Sequence, residues 1–387
     1  MKIEQSLNDL ENYIIKENFR GYDPYDTLTS WVPLKLLGKW PSAIATQIQK
    51  RNPVNIRPIL GIRKGINPKA YGLFLQAYSL LYKNTYEVEY LEKANHFFEW
   101  LSNNYTKGYT GKCWGYNFPW ANPEKYLDAH TPSSVVTGFV SKGLFEYYKI
   151  TKSDEAKELL ESACLFLNHD LEKVIDKNGI SISYTPVQKD ICYNSSLLAA
   201  ETFAKTYSIN NNETLKQLAI RAVDFVINKQ HENGKWNYSI NLEQTKEQEQ
   251  IDFHQGYVLE SIFEIKNILR ISNQKWENAI ETGLRFYIEK QFHASGRSFW
   301  RLPKKYPVEI HNQSQGIITM LKLKNYYPES DNFAKTIAKW TINNMQAQDG
   351  HFFYQKFRMR TNRISYMRWS NAWMFLALTY LTVNKNE

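Results

Sequence analysis

The chain has 387 residues, of which 43% are hydrophobic and 22% charged, ordinary globular usage that can bury a large core. Its formal charge of +9 favours acidic partners. No basic tract is dense enough to bind nucleic acid, because the richest, KFRMRTNRISYMR at 356–368, is interrupted by apolar and aromatic residues.

In chain order, MKIEQSLNDLENYIIKENF reads as a polar amphipathic helix over 3–17 and lacks the apolar core of a signal peptide. With no run of about 18 apolar residues there is no transmembrane segment. The three cysteines (Cys113, Cys164, Cys192) are too scattered for a disulfide framework. Together these features predict a reduced, cytoplasmic protein. GYDPYDTLTSWVPLKLLGKWP (21–41) is rich in turn formers and aromatics and is expected, within an N-terminal segment 1–60, to pack across one end of the domain. Asp23, Tyr25, Asp26 and Trp31 are candidates to edge a site there. Arg57, Arg63, Lys64 and Lys69 lie in the loop leading to PKAYGLFLQAYSLLY (68–82), an apolar helix.

From there the chain repeats. Amphipathic helices are predicted at 90–105, 155–171, 213–230, 275–292 and 331–348, with apolar residues at i, i+3, i+4 and i+7. Most are followed by a Gly-bearing turn and a short aromatic strand: GYTGKCWGYNF, KNGISISY, ENGKWNY, QDGHFFY and, more loosely, ASGRSFW. A more apolar helix comes next, as in PSSVVTGFVSKGLFEYYKI, NSSLLAAETFAKTYSI, QGYVLESIFEIKNIL, NQSQGIITMLKL and SNAWMFLALTYLTV. With 68–82 that makes six apolar helices. An outer helix at 3–17, or one within 28–50, completes six amphipathic ones. A hairpin of this kind cannot bury its apolar face alone, so neighbours must stack. The pattern predicts an all-α fold, a single (α/α)6 toroid over 1–387, in preference to an open solenoid.

Acids recur just before the apolar helices. Asp128, Asp190, Asp252 and Glu309 are 62, 62 and 57 residues apart, and His130, Cys192, His254 and His311 stand two places after them. In an extended segment residues two apart share a face, so each acid should point with its partner. Asp128, Asp190 and Asp252 are readable as helix caps. Capping does not account for His130, His254 and His311 gathering with Tyr193, Asn194, Asn312, Gln313, Tyr366, Arg368 and Trp369 at one end of a ring.

Three chemistries were weighed for this set. His130, Cys192, His254 and His311 are acceptable zinc ligands, but no close-spaced pair supports a metal, and no cofactor is expected. Terpene chemistry suits the 11 Trp, 26 Tyr and 20 Phe, yet the DDxxD and DxDD acidic clusters are absent. Sugar chemistry is the third. Over residues 60–385 the hairpin pattern, with NPKAYGLFLQAYSLLY and NGKWNY, resembles six-hairpin carbohydrate enzymes: N-acylglucosamine 2-epimerases, glucuronyl C5-epimerases, unsaturated glucuronyl hydrolases and toroid polysaccharide lyases.

The resemblance implies a carbohydrate-active enzyme, with an acidic, uronate-containing saccharide as the expected partner and epimerase or lyase chemistry as the expected reaction, in polysaccharide biosynthesis. Removing a proton beside a carboxylate needs a base and a group that holds the developing charge. His254 and His311 are the acid/base candidates, with Tyr366 and His130 in reserve. Arg368 and Asn312 are candidate carboxylate holders; Gln313, Asn194, Tyr193, Asp252 and Lys69 line the same end. Trp114, Trp120, Trp236 and Trp369 are candidates to stack on pyranose faces. Hydrolysis, in which Asp128, Asp190 or Asp252 would be the general acid, a terpene cyclase- or prenyltransferase-like enzyme, and a non-catalytic glycan- or protein-binding repeat stay open as alternatives.

Overall fold

A computed structural model describes residues 3–122 and 125–384. Its helices are α1 (Ile3–Lys16), α2 (Lys39–Arg51), α3 (Pro68–Thr85), α4 (Val88–Asn103), α5 (Ser134–Thr151), α6 (Asp154–Leu165) and α7 (Tyr193–Asn210). They continue with α8 (Glu213–Ile227), α9 (His254–Ile268), α10 (Gln274–Gln291), α11 (Ile310–Lys322), α12 (Ser330–Met345) and α13 (Trp373–Val383).

Hydrophobicity sorts them into two rings. The inner helices α3, α5, α7, α9, α11 and α13 are buried nearly all round, as their almost continuous small and apolar surfaces require. The outer helices bury one stripe each. Every inner helix packs on the next, and α13 returns to α3, so the ring closes as an (α/α)6 toroid instead of an open solenoid.

The sixth outer helix is α1, which lies against α12 and α13. The turn glycines identify it independently. Gly234 has φ +88°, and a Cβ there would sit 2.3 Å from the Thr282 carbonyl oxygen of α10. Gly350 has φ +96° and repeats the contact on α1, 2.0 Å from the Asp9 oxygen. Helix α2 belongs to neither ring: it packs on the Trp120–Ala121 strand at the mouth.

A second set of residues explains the period. Thr137, Ser196, Gln255, Gln313 and Asn371 accept the backbone N–H of Trp114, Ile182, Trp236, Ser298 and Phe352 respectively. Each polar side chain, at the start of an inner helix, latches the strand-like piece that precedes it. Buried amides at these loops would otherwise lack partners.

The acids cap less than their positions suggested. Ser133 caps α5, accepting from Val136 N, while Asp128 lies outside the helix and pairs with Lys35 at 2.6 Å on the surface. Asp190 takes Tyr184 N at 2.8 Å instead of an α7 amide. Only Asp252 reaches a first-turn amide, His254 N at 3.2 Å. The reason is register: the chain extends from acid to helix as a short strand or turn, which carries the carboxylate away from the free amides. No helix among the described residues is long and apolar enough to cross a membrane.

Candidate functional site

The loops that feed the inner helices surround a cavity of about 1130 Å³ at one end of the ring. Short antiparallel strips, Ile191–Cys192 with Ser239–Ile240 and Val308–Glu309 with Phe353–Lys356, form parts of its wall. Because the inner helices all begin there, their first residues converge.

The stretch DFHQGY supplies the centre. Asp252 is buried, and its Oδ1 accepts His254 Nδ1–H at 2.5 Å; the two side chains meet, but across a turn with Phe253 helical instead of along the extended segment expected. Gln250 Nε2 donates to the other oxygen at 2.9 Å, and Arg301 Nε lies 3.2 Å from it. Burial pushes the Asp252 carboxyl up, but the His254 and Arg301 interactions outweigh it and hold the acid below its ordinary value. An ionised Asp252 fixes the proton of His254 on Nδ1, leaving Nε2 as the basic atom.

His311 faces the same cavity from α11 and is 1% exposed. Burial first, then the positive charges of Lys69, Arg368, His254 and Lys50, hold its pKa well below 6.5, so the imidazole is neutral. Its Nε2 meets Tyr257 Oη at 2.5 Å. Burial pushes the Tyr257 phenol well above its ordinary value, so the hydroxyl keeps its proton and donates. The Phe253 ring joins the two sites, with its centroid 4.2 Å from that of His254 and 4.1 Å from that of His311.

Lys69, at the second residue of α3, is 3% exposed and lines the cavity. Its Nζ lies 4.0, 5.3 and 5.6 Å from the ring centroids of Phe139, Trp373 and Tyr257, and no carboxylate pairs with it among the described residues. Burial, reinforced by Arg368, lowers its pKa well below 10.5.

Several candidates from the sequence have other duties. Arg368 lines the cavity, and the Nε/Nη2 edge of its guanidinium is taken by Asp23 at 2.6 and 2.8 Å, so its charge is already paired with a buried carboxylate. Asn312 donates to the Phe299 and Trp300 carbonyls and accepts from Phe253 N, which uses its amide to hold the loop. Gln313 is one of the latches and lies outside the cavity lining. Trp114 and Trp236 are core residues, their indoles donating to the Leu101 and Val226 carbonyls. Tyr193 donates to Glu247 outside the lining. Tyr366 packs edge-on to Tyr354 with the Arg57 guanidinium 4.8 Å from its ring centre, beneath the wall. His130 sits on an exposed loop with φ +63°, outside the lining. Trp120, Asn194 and Trp369 do line the cavity.

Sequence reasoning passed over Tyr257, although it stands one helical turn after His254 on the same face. It also gave Glu309 no role beyond its place in the repeat of acids. That carboxylate is clasped by Trp369 Nε1 at 2.9 Å, Gln355 at 3.0 Å and Trp300 Nε1 at 3.3 Å. Lys50 and Arg51, contributed by α2, and Arg301 carry no periodic signal. Across the lining, nine Lys and Arg face five Asp and Glu, so the cavity is electropositive.

No family model matches the sequence, and no curated protein matches it. Solved structures do match the fold. Cellobiose 2-epimerase from Bacillus thermoamylovorans B4167 superposes with a TM-score of 0.65 at 14% identity, covering 84% of this chain and 90% of that one. An unsaturated glucuronyl hydrolase specific for heparin gives 0.65 at 11% identity, covering 100% and 98%. A D-mannose isomerase gives 0.62 at 11% identity, covering 83% and 88%. At these identities the likeness establishes the (α/α)6 toroid and nothing finer.

Proposed function

We propose that this protein is a carbohydrate-active enzyme that transfers a proton at a carbon of an acidic saccharide, with epimerisation as the reaction and elimination as the outcome if a leaving group lies beside that carbon. The observation that carries the reading is the Asp252–His254 pair set in one aromatic cluster with His311 and Tyr257. Toroids of this kind that act on sugars, such as the cellobiose 2-epimerase and the glucuronyl hydrolase, supply the setting.

In this reading His254 Nε2 removes the proton next to the substrate carboxylate. Asp252 stabilises the imidazolium that forms and keeps the ring oriented, which accounts for its being both buried and ionised. The Tyr257 hydroxyl, backed by neutral His311, returns a proton to the carbon. Lys69 replaces Arg368 as the group that meets the substrate's negative charge. A buried ammonium without a counter-ion is costly, so an anionic ligand is the partner its environment favours. Proton uptake from solvent as the anion binds completes the charge. Trp120 and Trp369 offer the stacking faces.

The test uses a panel of uronate-containing and neutral disaccharides in deuterated water, followed by NMR and mass spectrometry. Epimerisation gives deuterium at one ring carbon with otherwise unchanged mass, and elimination gives a conjugated chromophore. Exchange on no acidic sugar, or exchange that survives His254→Ala, would sink the proposal.

A further inference from the structure

The outward surface of residues 31–59 is unusual for a water-facing one. Trp31, Leu36, Trp40, Ile44, Ile48 and Ile59 are each 56–84% exposed. Eight of the 17 exposed large hydrophobic residues in the described chain fall within these 29 positions, so they form a concentration and not a scatter. Helix α2 is inverted. It turns Ser42, Ala43, Thr46 and Gln49 inward, while Trp40, Ile44 and Ile48, at i, i+4 and i+8, look away from the protein. Ordinary amphipathic packing would bury the isoleucines, so the outward face is shaped for something other than water.

Charge selects what that is. Residues 27–65 contain seven Lys and Arg and no Asp or Glu. Arg57 is buried against Asp26, Lys64 pairs with Glu17, and Lys35 with Asp128 from the facing loop. Lys39 and Arg51 bracket the apolar stripe at the two ends of α2, both exposed. A second copy of this face would set the same cations against one another. Anionic lipid headgroups complement them, and two exposed tryptophans beside a short amphipathic helix suit the headgroup layer.

We infer that α2 and its flanking loops dock this protein on an anionic membrane surface, with Trp40, Ile44 and Ile48 entering the headgroup–acyl boundary and Arg51 meeting the phosphates. Gln47, Lys50 and Arg51 of the same helix line the cavity, so docking brings the cavity mouth to the lipid surface. The inference is independent of the reaction catalysed.

Flotation of the full chain with phosphatidylcholine vesicles, with and without phosphatidylglycerol, tests it. The protein should float with the anionic vesicles and release partly at raised salt. The Ile44→Ser, Ile48→Ser double variant should lose about tenfold or more of the binding, given the apolar area withdrawn, with an unchanged melting temperature because both side chains are exposed. Absent flotation, equal binding to neutral vesicles, or undiminished binding by the double variant overturns it. So does sedimentation that reveals a dimer which the double variant converts to monomer, since the face then belongs to a second copy.

Discussion

Two groups of buried charges lie along the axis of this ring, and they differ in one respect. About two helical turns into the inner helices, Lys142 bridges Glu201 and Glu260 at 3.0 and 2.9 Å, and Lys322 bridges Glu260 and Glu264 at 2.8 Å each. Lys205 joins Glu201 at 3.2 Å, and Gln315 and Ser261 complete the carboxylates. At the helix starts, by contrast, Lys69 has rings around it and no acid, and His311 keeps Nδ1 without a partner among the described residues. Charges that satisfy one another stitch four inner helices, α5, α7, α9 and α11, together. Buried polar groups left unmatched are available to a ligand, and the cost of burying them marks a candidate site.

The comparison can be broken at either end. The largest effect is expected at the site: His254→Ala should lower deuterium exchange by about 10²- to 10⁴-fold, the range of a lost acid–base group, with little change in denaturant midpoint. At the network, Glu260→Ala leaves Lys142 and Lys322 short of a counter-ion. It should cost about 3–5 kcal/mol of stability in urea titration, while exchange per folded molecule is retained. A Glu260→Ala variant that was stable and inactive would merge the two regions. Lys69→Met should act in the opposite direction to Glu260→Ala. Removing an unpaired buried amine should raise the melting temperature by on the order of 2–5 °C and weaken binding of the acidic saccharide, read by calorimetry.

The smallest effects are in the pH dependence. His311 is held neutral in the fold, whereas in the unfolded chain it titrates near 6.5. The unfolded state therefore binds more protons below that value, and stability should fall as pH drops from about 6.5 towards the depressed value. His311→Asn should flatten that limb of a melting-temperature profile. Burial pushes Glu260 up, but Lys142 and Lys322 hold it below its ordinary 4.5. Its contribution should be present above 4.5 and lost as pH falls further, and Glu260→Gln should remove that lower limb.

Much of the architecture was legible because it rests on local patterning. Apolar residues at helical spacing and Gly–aromatic turns recur in one chain, and only a closed stack buries them all. The site was legible in part. DFHQGY holds its groups within six residues, since Asp252 and His254 meet across the turn that starts α9 and Tyr257 follows one turn later. Tyr366, Gln313, Trp114 and Trp236 carried the same residue types at similar positions, yet the ring uses them as latches and core. A repeat places equivalent side chains at equivalent heights, but whether each faces the cavity depends on the loop before it.

By itself, then, the sequence determined the alternation of six apolar helices with amphipathic ones and the closeness of Asp252 to His254, which neighbouring residues settle between themselves; ring closure chose α1 over α2 as the sixth outer helix. Only the tertiary structure decided which charges find partners. Arg368 is engaged because Asp23, 345 residues earlier, is carried to it by ring closure. Lys69 stands alone because closure brings phenyl, phenol and indole rings to it and no carboxylate. Long-range pairing depends on geometry that no local pattern encodes, and it separates a lysine left among rings from a guanidinium given a buried carboxylate.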